Sequence, residues 1–137
     1  MLITCHCVIN ANAKVPPLAT VGGVFTDSVS EYIQSGCGFL QLPCPEVTYL
    51  GMNRWGMTKE QYDHPNFRRH CREILIYPMV HIQASVQAGY EIVGVLGMDK
   101  SPNCGLNLTC RGYTGGELGS VDQVVHQMNG THRPWPF

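Results

Sequence analysis

The sequence has no apolar run that approaches the ~18 residues needed to cross a membrane. Charged residues are scarce, at 14% of 137 residues, and the formal net charge at pH 7 is only −1. The chain therefore lacks the basic surface that binds nucleic acid regardless of its sequence. Residues 1–7 contain neither a basic segment nor a small-residue cleavage site, so no signal peptide is expected. Hydrophobic residues make up 44% of the chain, and we expect a single cytoplasmic domain over residues 1–137.

Cysteines are too few for a disulfide scaffold. Seven cysteines in 137 residues fall below the roughly 8–10% typical of such scaffolds. An odd number also cannot pair completely. In a reducing cytosol, the thiols would be core residues, metal ligands or reactive groups. No C-x-x-C pair is present, so their spacing alone does not identify a metal site.

The hydrophobic pattern predicts strands and helices in alternation. A helix is expected near Ser28–Ser35, where Ser28 and Glu31 have the spacing of a capping box and Gly36 follows. A longer helix should begin at Asn66 and continue past Pro78 to Gly89, while residues 47–66 are irregular. The remaining predicted elements are the strands Leu2–Val8, Phe39–Leu42 and Ile92–Gly97 and a short helix at Val121–Met128. The tail after Arg133 has no closing element, and whether the natural chain continues past Phe137 is left open.

This order of elements predicts an α/β domain, a small three-layer Rossmann-like fold with a parallel sheet flanked by helices. In such sheets the functional crevice lies at the carboxyl ends of the strands. The carboxyl end of each predicted strand carries a cysteine at or beyond it: Cys7, Cys44 and Cys104. Although these residues are far apart in the chain, this topology would bring them to one edge of the sheet.

Three thiolates at one edge can hold a metal centre that keeps a position open for a substrate. Open zinc sites usually include histidine or carboxylate ligands. Ligation by thiolates alone favours an iron–sulfur cluster, in which three cysteines leave one iron of a four-iron cube without a protein ligand. Cys5 competes with Cys7 for the first position, and we favour Cys7 because it lies nearer the loop.

Two motifs place a cysteine in a turn stiffened by proline. Pro43-Cys44-Pro45-Glu46-Val47 sets Cys44 beside a carboxylate, and Ser101-Pro102-Asn103-Cys104-Gly105 sets Cys104 beside a hydroxyl. The stretches C-P-E-V and S-P-x-C-G resemble those of the thiouracil desulfidase family, whose members remove sulfur from thiolated nucleobases. Gly112-Tyr113-Thr114-Gly115-Gly116 also resembles a turn of that family. The residues around Cys7 depart from the family pattern, which leaves the substrate open.

The resemblance implies a [4Fe-4S] cluster with one iron free of protein ligands, held by Cys7, Cys44 and Cys104. It further implies that Glu46 positions or deprotonates a water that attacks the thiocarbonyl carbon, while Ser101 donates a hydrogen bond or relays a proton. The expected partner is a small thiolated nucleobase or thioamide. The near-neutral charge favours a free base or nucleoside over tRNA.

A non-catalytic alternative remains open at this stage, in which the chain binds an iron–sulfur cluster or zinc for a structural or sensing role. That alternative requires a fourth ligand, for which the candidates are Cys5, His6 and Cys110. The role of His64 is open as well. Trp55 and Tyr113 could stack on a nucleobase, and the oligomeric state is not indicated by the sequence.

Overall fold

The computed structural model describes residues 1–16, 18–113 and 115, and the backbone of residues 132–134. A three-residue 3₁₀ turn, Ala11–Ala13, follows the first helix. The other elements, in chain order, are β1 (Leu2–Thr4), α1 (His6–Ile9), α2 (Thr26–Gln34), β2 (Phe39–Gln41), α3 (Pro45–Leu50), α4 (Lys59–Tyr62), α5 (Pro65–Gln87), β3 (Gly94–Leu96), β4 (Leu108–Cys110) and β5 (His132–Pro134).

A three-stranded parallel sheet organises the fold. β1 lies in the centre and pairs in parallel with β2 on one side and β3 on the other, with Ile3 opposite both Leu40 and Val95. β4 and β5 form a separate antiparallel pair. The prediction of a Rossmann-like α/β fold with a parallel sheet flanked by helices is therefore confirmed. Because the three strands are parallel, their carboxyl ends lie at one edge of the sheet. In the order β2-β1-β3 the chain adds β2 on one side of β1 and β3 on the other. This places a topological switch point between β1 and β3, where such folds bind ligands.

The core lies beside the carboxyl end of β1. Cys5, Val8 and Val29 form its buried centre, against which Phe39 and Leu96 pack. α2 supplies Val29 and ends in a Schellman motif, in which Gly36 N–H donates to the Ile33 carbonyl and Cys37 N–H to the Tyr32 carbonyl. Gly36 has a φ of 74°, which is why glycine suits this position.

The first strand is shorter than predicted. β1 ends at Thr4, and the segment predicted to continue it to Val8 turns into the short helix α1. Cys5 N–H still donates to the Leu96 carbonyl of β3, but Val8 N–H already bonds back to the Cys5 carbonyl. The periodicity of so short an apolar run does not distinguish a strand from a helix. The helix α1 is favoured here because it buries Val8 in the core.

The predicted capping box does not start α2. The helix begins at Thr26 and Phe25 is its N-cap residue, without a side-chain hydrogen bond. The backbone N–H of Phe25 donates to the Val8 carbonyl at 2.9 Å. A tertiary contact, and not local capping by Ser28, therefore fixes where this helix begins.

The region 47–66 is more regular than predicted. It contains most of α3 and all of α4, each only one or two turns long. α5 begins at Pro65, with His64 Nδ1 accepting from Phe67 N–H, and runs through Pro78 to Gln87. The predicted helix at Val121–Met128 lies outside the described residues. No helix in the described part of the chain is both long and apolar enough to cross a membrane.

Candidate functional site

A cavity of about 390 Å³ opens at the carboxyl edge of the parallel sheet. Residues that follow all three strands line it. The cavity wall includes Cys7, Cys44, Glu46, Ser101 and Cys104, which are the site residues predicted from the sequence. Cys7, Cys44 and Cys104 all carry free thiols. Residues nearly 100 positions apart in the chain therefore meet at one site, as the topology predicts.

Cys44 is fixed by the helix that it introduces. It is the N-cap residue of α3, with an extended backbone, and its sulfur accepts from Val47 N–H at 3.5 Å. Pro45 occupies the first helical position, where a missing N–H costs nothing. Burial is the main cause that raises the pKa of the Cys44 thiol. The two prolines thus hold a half-buried thiol at the end of β2.

The loop after β3 folds back on its own strand to present Cys104. Met98 N–H donates to the Cys104 carbonyl at 2.9 Å, an approach so close that a Cβ on Gly97 would overlap that carbonyl. Asp99 closes the loop, because its carboxylate accepts from the backbone N–H groups of residues 106–108. These hydrogen bonds, led by that from Asn107, lower the pKa of the Asp99 carboxyl.

Ser101 organises the turn that carries Cys104. Its hydroxyl oxygen accepts from the backbone N–H of Asn103 at 3.2 Å and of Cys104 at 3.1 Å. These two contacts use the acceptor capacity of the oxygen and leave the hydroxyl hydrogen for donation. Because Ser101 also lines the cavity, this hydrogen is suited to bind an acceptor atom of a ligand.

Cys5 and Cys7 are neighbours in space but lie in different environments. Cys5 is buried at 5% exposure in the core, and Cys7 lies on the cavity wall. Their sulfurs are 3.7 Å apart. The pKa of the Cys7 thiol is strongly raised, first by the hydrogen bond with Cys5 and then by burial. The pKa of the Cys5 thiol is raised to about 11, mainly by a hydrogen bond with Cys104. Without a metal, both side chains are protonated thiols at neutral pH.

Glu46 lies on the cavity wall and has a partner on each carboxylate oxygen. Arg54 Nε donates to Oε2 at 3.2 Å, and Asn103 Nδ2 donates to Oε1 at 3.0 Å. The side chains of the Arg54–Glu46 pair are only 3% and 12% exposed. Neither Arg54 nor Asn103 was predicted. A lone arginine in a loop gives no sequence signal, and Asn103 occupies the variable position of S-P-x-C-G.

Tyr62 of α4 is buried near this ion pair. Its hydroxyl oxygen has no hydrogen-bond partner among the described residues. Burial, and then the negative charge of Glu46, raise the pKa of the Tyr62 hydroxyl. The phenol therefore stays neutral beside the carboxylate.

Lys14 brings positive charge to the cavity wall. Its ammonium nitrogen lies 3.6 Å from Met98 Sδ and 5.3 Å from the centre of the Phe25 ring. The charge of Lys14 partly offsets the increase in the Cys7 pKa. A lysine in this position favours the thiolate forms that a metal centre requires.

Most other residues considered from the sequence lie elsewhere. His6, His64, Trp55 and Cys110 do not line this cavity. His64 instead caps α5 and joins an aromatic cluster with Tyr49. Arg68 and Arg69 form exposed ion pairs with Asp63 and Glu73, so they belong to a solvated helix face.

The cavity thiols do not converge on one point. Within residues 1–16, 18–113 and 115, no group of three or more His, Cys, Asp or Glu side chains is close enough to hold a single metal ion. The cysteines of a four-iron cube bind separate irons, so a cluster requires thiols distributed around a cavity. By chemistry, a donor set of three thiols is suited to soft metal centres, which include zinc and iron–sulfur clusters.

Comparison with known proteins gives a relative without an assigned function. The chain is 33% identical over 102 residues to an uncharacterised protein, MJ0003, of Methanocaldococcus jannaschii. The match covers 74% of this chain and 65% of the archaeal protein, and so spans less than two thirds of that protein's length. No family model and no solved structure matches the chain.

Proposed function

We propose that this protein is an iron–sulfur-dependent desulfidase that removes sulfur from a thiolated nucleobase or a related small thioamide. The observation that carries the proposal is a cavity whose wall includes three thiols, a carboxylate and a hydroxyl. The motifs around Cys44 and Cys104 that resemble the thiouracil desulfidase family support it, because both motifs supply the wall of that cavity. The reaction belongs in a reducing compartment such as the cytoplasm, where thiols and clusters persist.

Cys7, Cys44 and Cys104 would hold a [4Fe-4S] cluster. When bound, the cluster supplies a Lewis-acidic iron without a protein ligand and with an affinity for sulfur. Cysteines bind metal as thiolates, so loading the site releases protons from thiols. We therefore expect metal uptake by the protein to improve as the pH rises.

The protein's own residues would carry the hydrolytic step. Glu46 positions a water and accepts a proton as the water oxygen bonds to the thiocarbonyl carbon and the carbon–sulfur bond breaks. Ser101 donates its remaining hydrogen to the substrate. The overall reaction converts C=S and water into C=O and hydrogen sulfide, so no electron is gained or lost.

Sulfide release tests this function. Anaerobically reconstituted protein is incubated with 4-thiouracil or 2-thiouracil, and sulfide and uracil are quantified. We expect both products from the wild type and from Cys71→Ala, a matched control because Cys71 lies on α5 away from the cavity. Cys44→Ala should yield neither product. A fully loaded wild type that releases no sulfide from either thione would contradict the proposal.

A second candidate is a non-catalytic cluster or zinc protein. The contact of 3.7 Å between the Cys5 and Cys7 sulfurs favours it, because Cys5 could serve as a fourth thiolate that closes the site. Cys5→Ala separates the two functions. A closed site would lose metal in this variant, whereas an open catalytic site would keep its iron content.

A further inference from the structure

Arg54 links the cavity carboxylate to the surrounding backbone. We propose that Arg54 is a positioning residue, which holds the Glu46 carboxylate in a single orientation on the cavity wall. This inference rests on the proposed function, since it assigns a role through Glu46. Arg54 itself need not touch the substrate.

The guanidinium group is fixed at both ends. Its Nη2 donates to the Ala13 carbonyl at 2.6 Å, and its Nη1 donates to the Gly51 carbonyl at 3.3 Å. The group is planar, so fixing these two nitrogens also fixes the direction of the third, Nε. Nε points to Glu46 Oε2 at 3.2 Å. The backbone at Ala13 and at Gly51 thereby determines where the carboxylate lies.

The second carboxylate oxygen is tied to the loop that carries the other site residues. Asn103, which donates to Oε1, lies between Ser101 and Cys104 in the chain. The orientation of Glu46 is thus coupled to the loop after β3. Each carboxylate oxygen uses one lone pair in these contacts and keeps another for a water.

Stability alone is a poor explanation for this pair. This ion pair is almost removed from solvent, so the free energy lost with its hydration cancels most of its Coulomb attraction. Apolar residues in place of a buried ion pair often give a fold equal stability. A buried arginine directed at a cavity carboxylate instead gives orientation. In a reaction that needs a water aligned with a carbon atom, a small error in orientation lowers the rate.

Kinetics of the wild type and of variants at Arg54, Glu46 and Arg68 test the inference. We expect Arg54→Gln to lower kcat by about ten- to a hundredfold while changing KM little, a loss no larger than the roughly hundredfold or greater contribution of a positioned base, because the base itself is kept. Arg54→Lys, which keeps a charge beside Glu46, should recover part of this loss. Adding Arg54→Gln to Glu46→Gln should lower kcat no further. Arg68→Gln is the matched control, because Arg68 pairs with Asp63 on an exposed helix face, and it should keep wild-type kcat.

Two kinetic results would overturn the proposal. In one, Arg54→Gln and Arg68→Gln have the same kcat. In the other, the losses from Arg54→Gln and Glu46→Gln multiply in the double variant, which would mean that Arg54 does not act through Glu46.

Urea unfolding of the metal-free proteins provides a readout that does not depend on activity. Arg54→Gln should destabilise the wild type more than it destabilises Glu46→Gln, because the second background has already lost the charge pair. Equal destabilisation in both backgrounds would show that Arg54 does not hold Glu46, and the inference would fail. If this coupling is present but the wild type releases no sulfide, the proposed function fails while the hold on the carboxylate stands.

Discussion

Gly97 controls how closely the Cys104 loop approaches the end of β3. A Cβ at this position would lie 2.5 Å from the Cys104 carbonyl oxygen and 2.7 Å from Leu106 Cγ. The first of these atoms is backbone and cannot move alone, so Gly97→Ala should push the loop outwards and break the hydrogen bond from Met98. Overpacking costs about 1–3 kcal/mol and the lost hydrogen bond about 1 kcal/mol. We therefore expect the free energy of unfolding to fall by about 2–4 kcal/mol.

Gly94→Ala is the matched control for this substitution. Gly94 is the first residue of β3, the strand that Gly97 directly follows, but a Cβ there would meet only Leu2 Cδ1 at 3.7 Å, an ordinary contact. Urea unfolding of the metal-free variants gives the stability change, and iron content after anaerobic reconstitution reports whether Cys104 still reaches the cavity. Gly97→Ala should lose both stability and iron relative to Gly94→Ala. If the two variants match in stability and iron content, the close approach of the loop is refuted.

Three further predictions concern buried or strongly hydrogen-bonded polar groups. Thr4 is fully buried, and its hydroxyl has no hydrogen-bond partner in the described residues. Thr4→Val should therefore raise the free energy of unfolding by about 1 kcal/mol in urea titrations. A loss of stability would mean that the hydroxyl has a hydrogen-bond partner. The raised pKa of Tyr62 gives stability that is complete below pH 10, the ordinary value, and is lost at higher pH. Tyr62→Phe should therefore lose less stability than the wild type between pH 9 and pH 11, and parallel curves would contradict this. The lowered pKa of Asp99 gives stability that is present above its ordinary value of 3.8 and is lost as the pH falls through the folded value. In Asp99→Asn, the free energy of unfolding, measured by circular dichroism, should fall less than in the wild type as the pH is lowered below 4. An equal fall in both proteins would argue against the hydrogen bonds from the loop to Asp99.

The order of the three sheet strands and of the helices α2 and α5 could be predicted because these elements have distinct hydrophobic patterns. The short run Ile92–Gly97 contains β3, and the stripe from Asn66 onwards covers all of α5 except Pro65. Local patterns failed where tertiary contacts decide. The N–H of Phe25 bonds to Val8, which fixes the start of α2, and Val8 enters the core, which ends β1 early.

The candidate site was only partly visible in the sequence. Cys44, Glu46, Ser101 and Cys104 belong to short motifs that resemble those of a known family, and the predicted topology brings the cysteines to one edge of the sheet. Arg54 could not be inferred, because its burial depends on the carbonyls of Ala13 and Gly51, which the fold brings from separate segments. Partners of this kind depend on three-dimensional proximity and leave no pattern along the chain.

Metal analysis of reconstituted protein tests the central claim most directly. Iron and acid-labile sulfide are measured per chain after anaerobic reconstitution of the wild type, Cys44→Ala and the control Cys71→Ala. We expect about four of each in the wild type and the control, as a four-iron cube requires, and a loss of both in Cys44→Ala. Stoichiometric zinc in place of iron, or undiminished iron in Cys44→Ala, would contradict it.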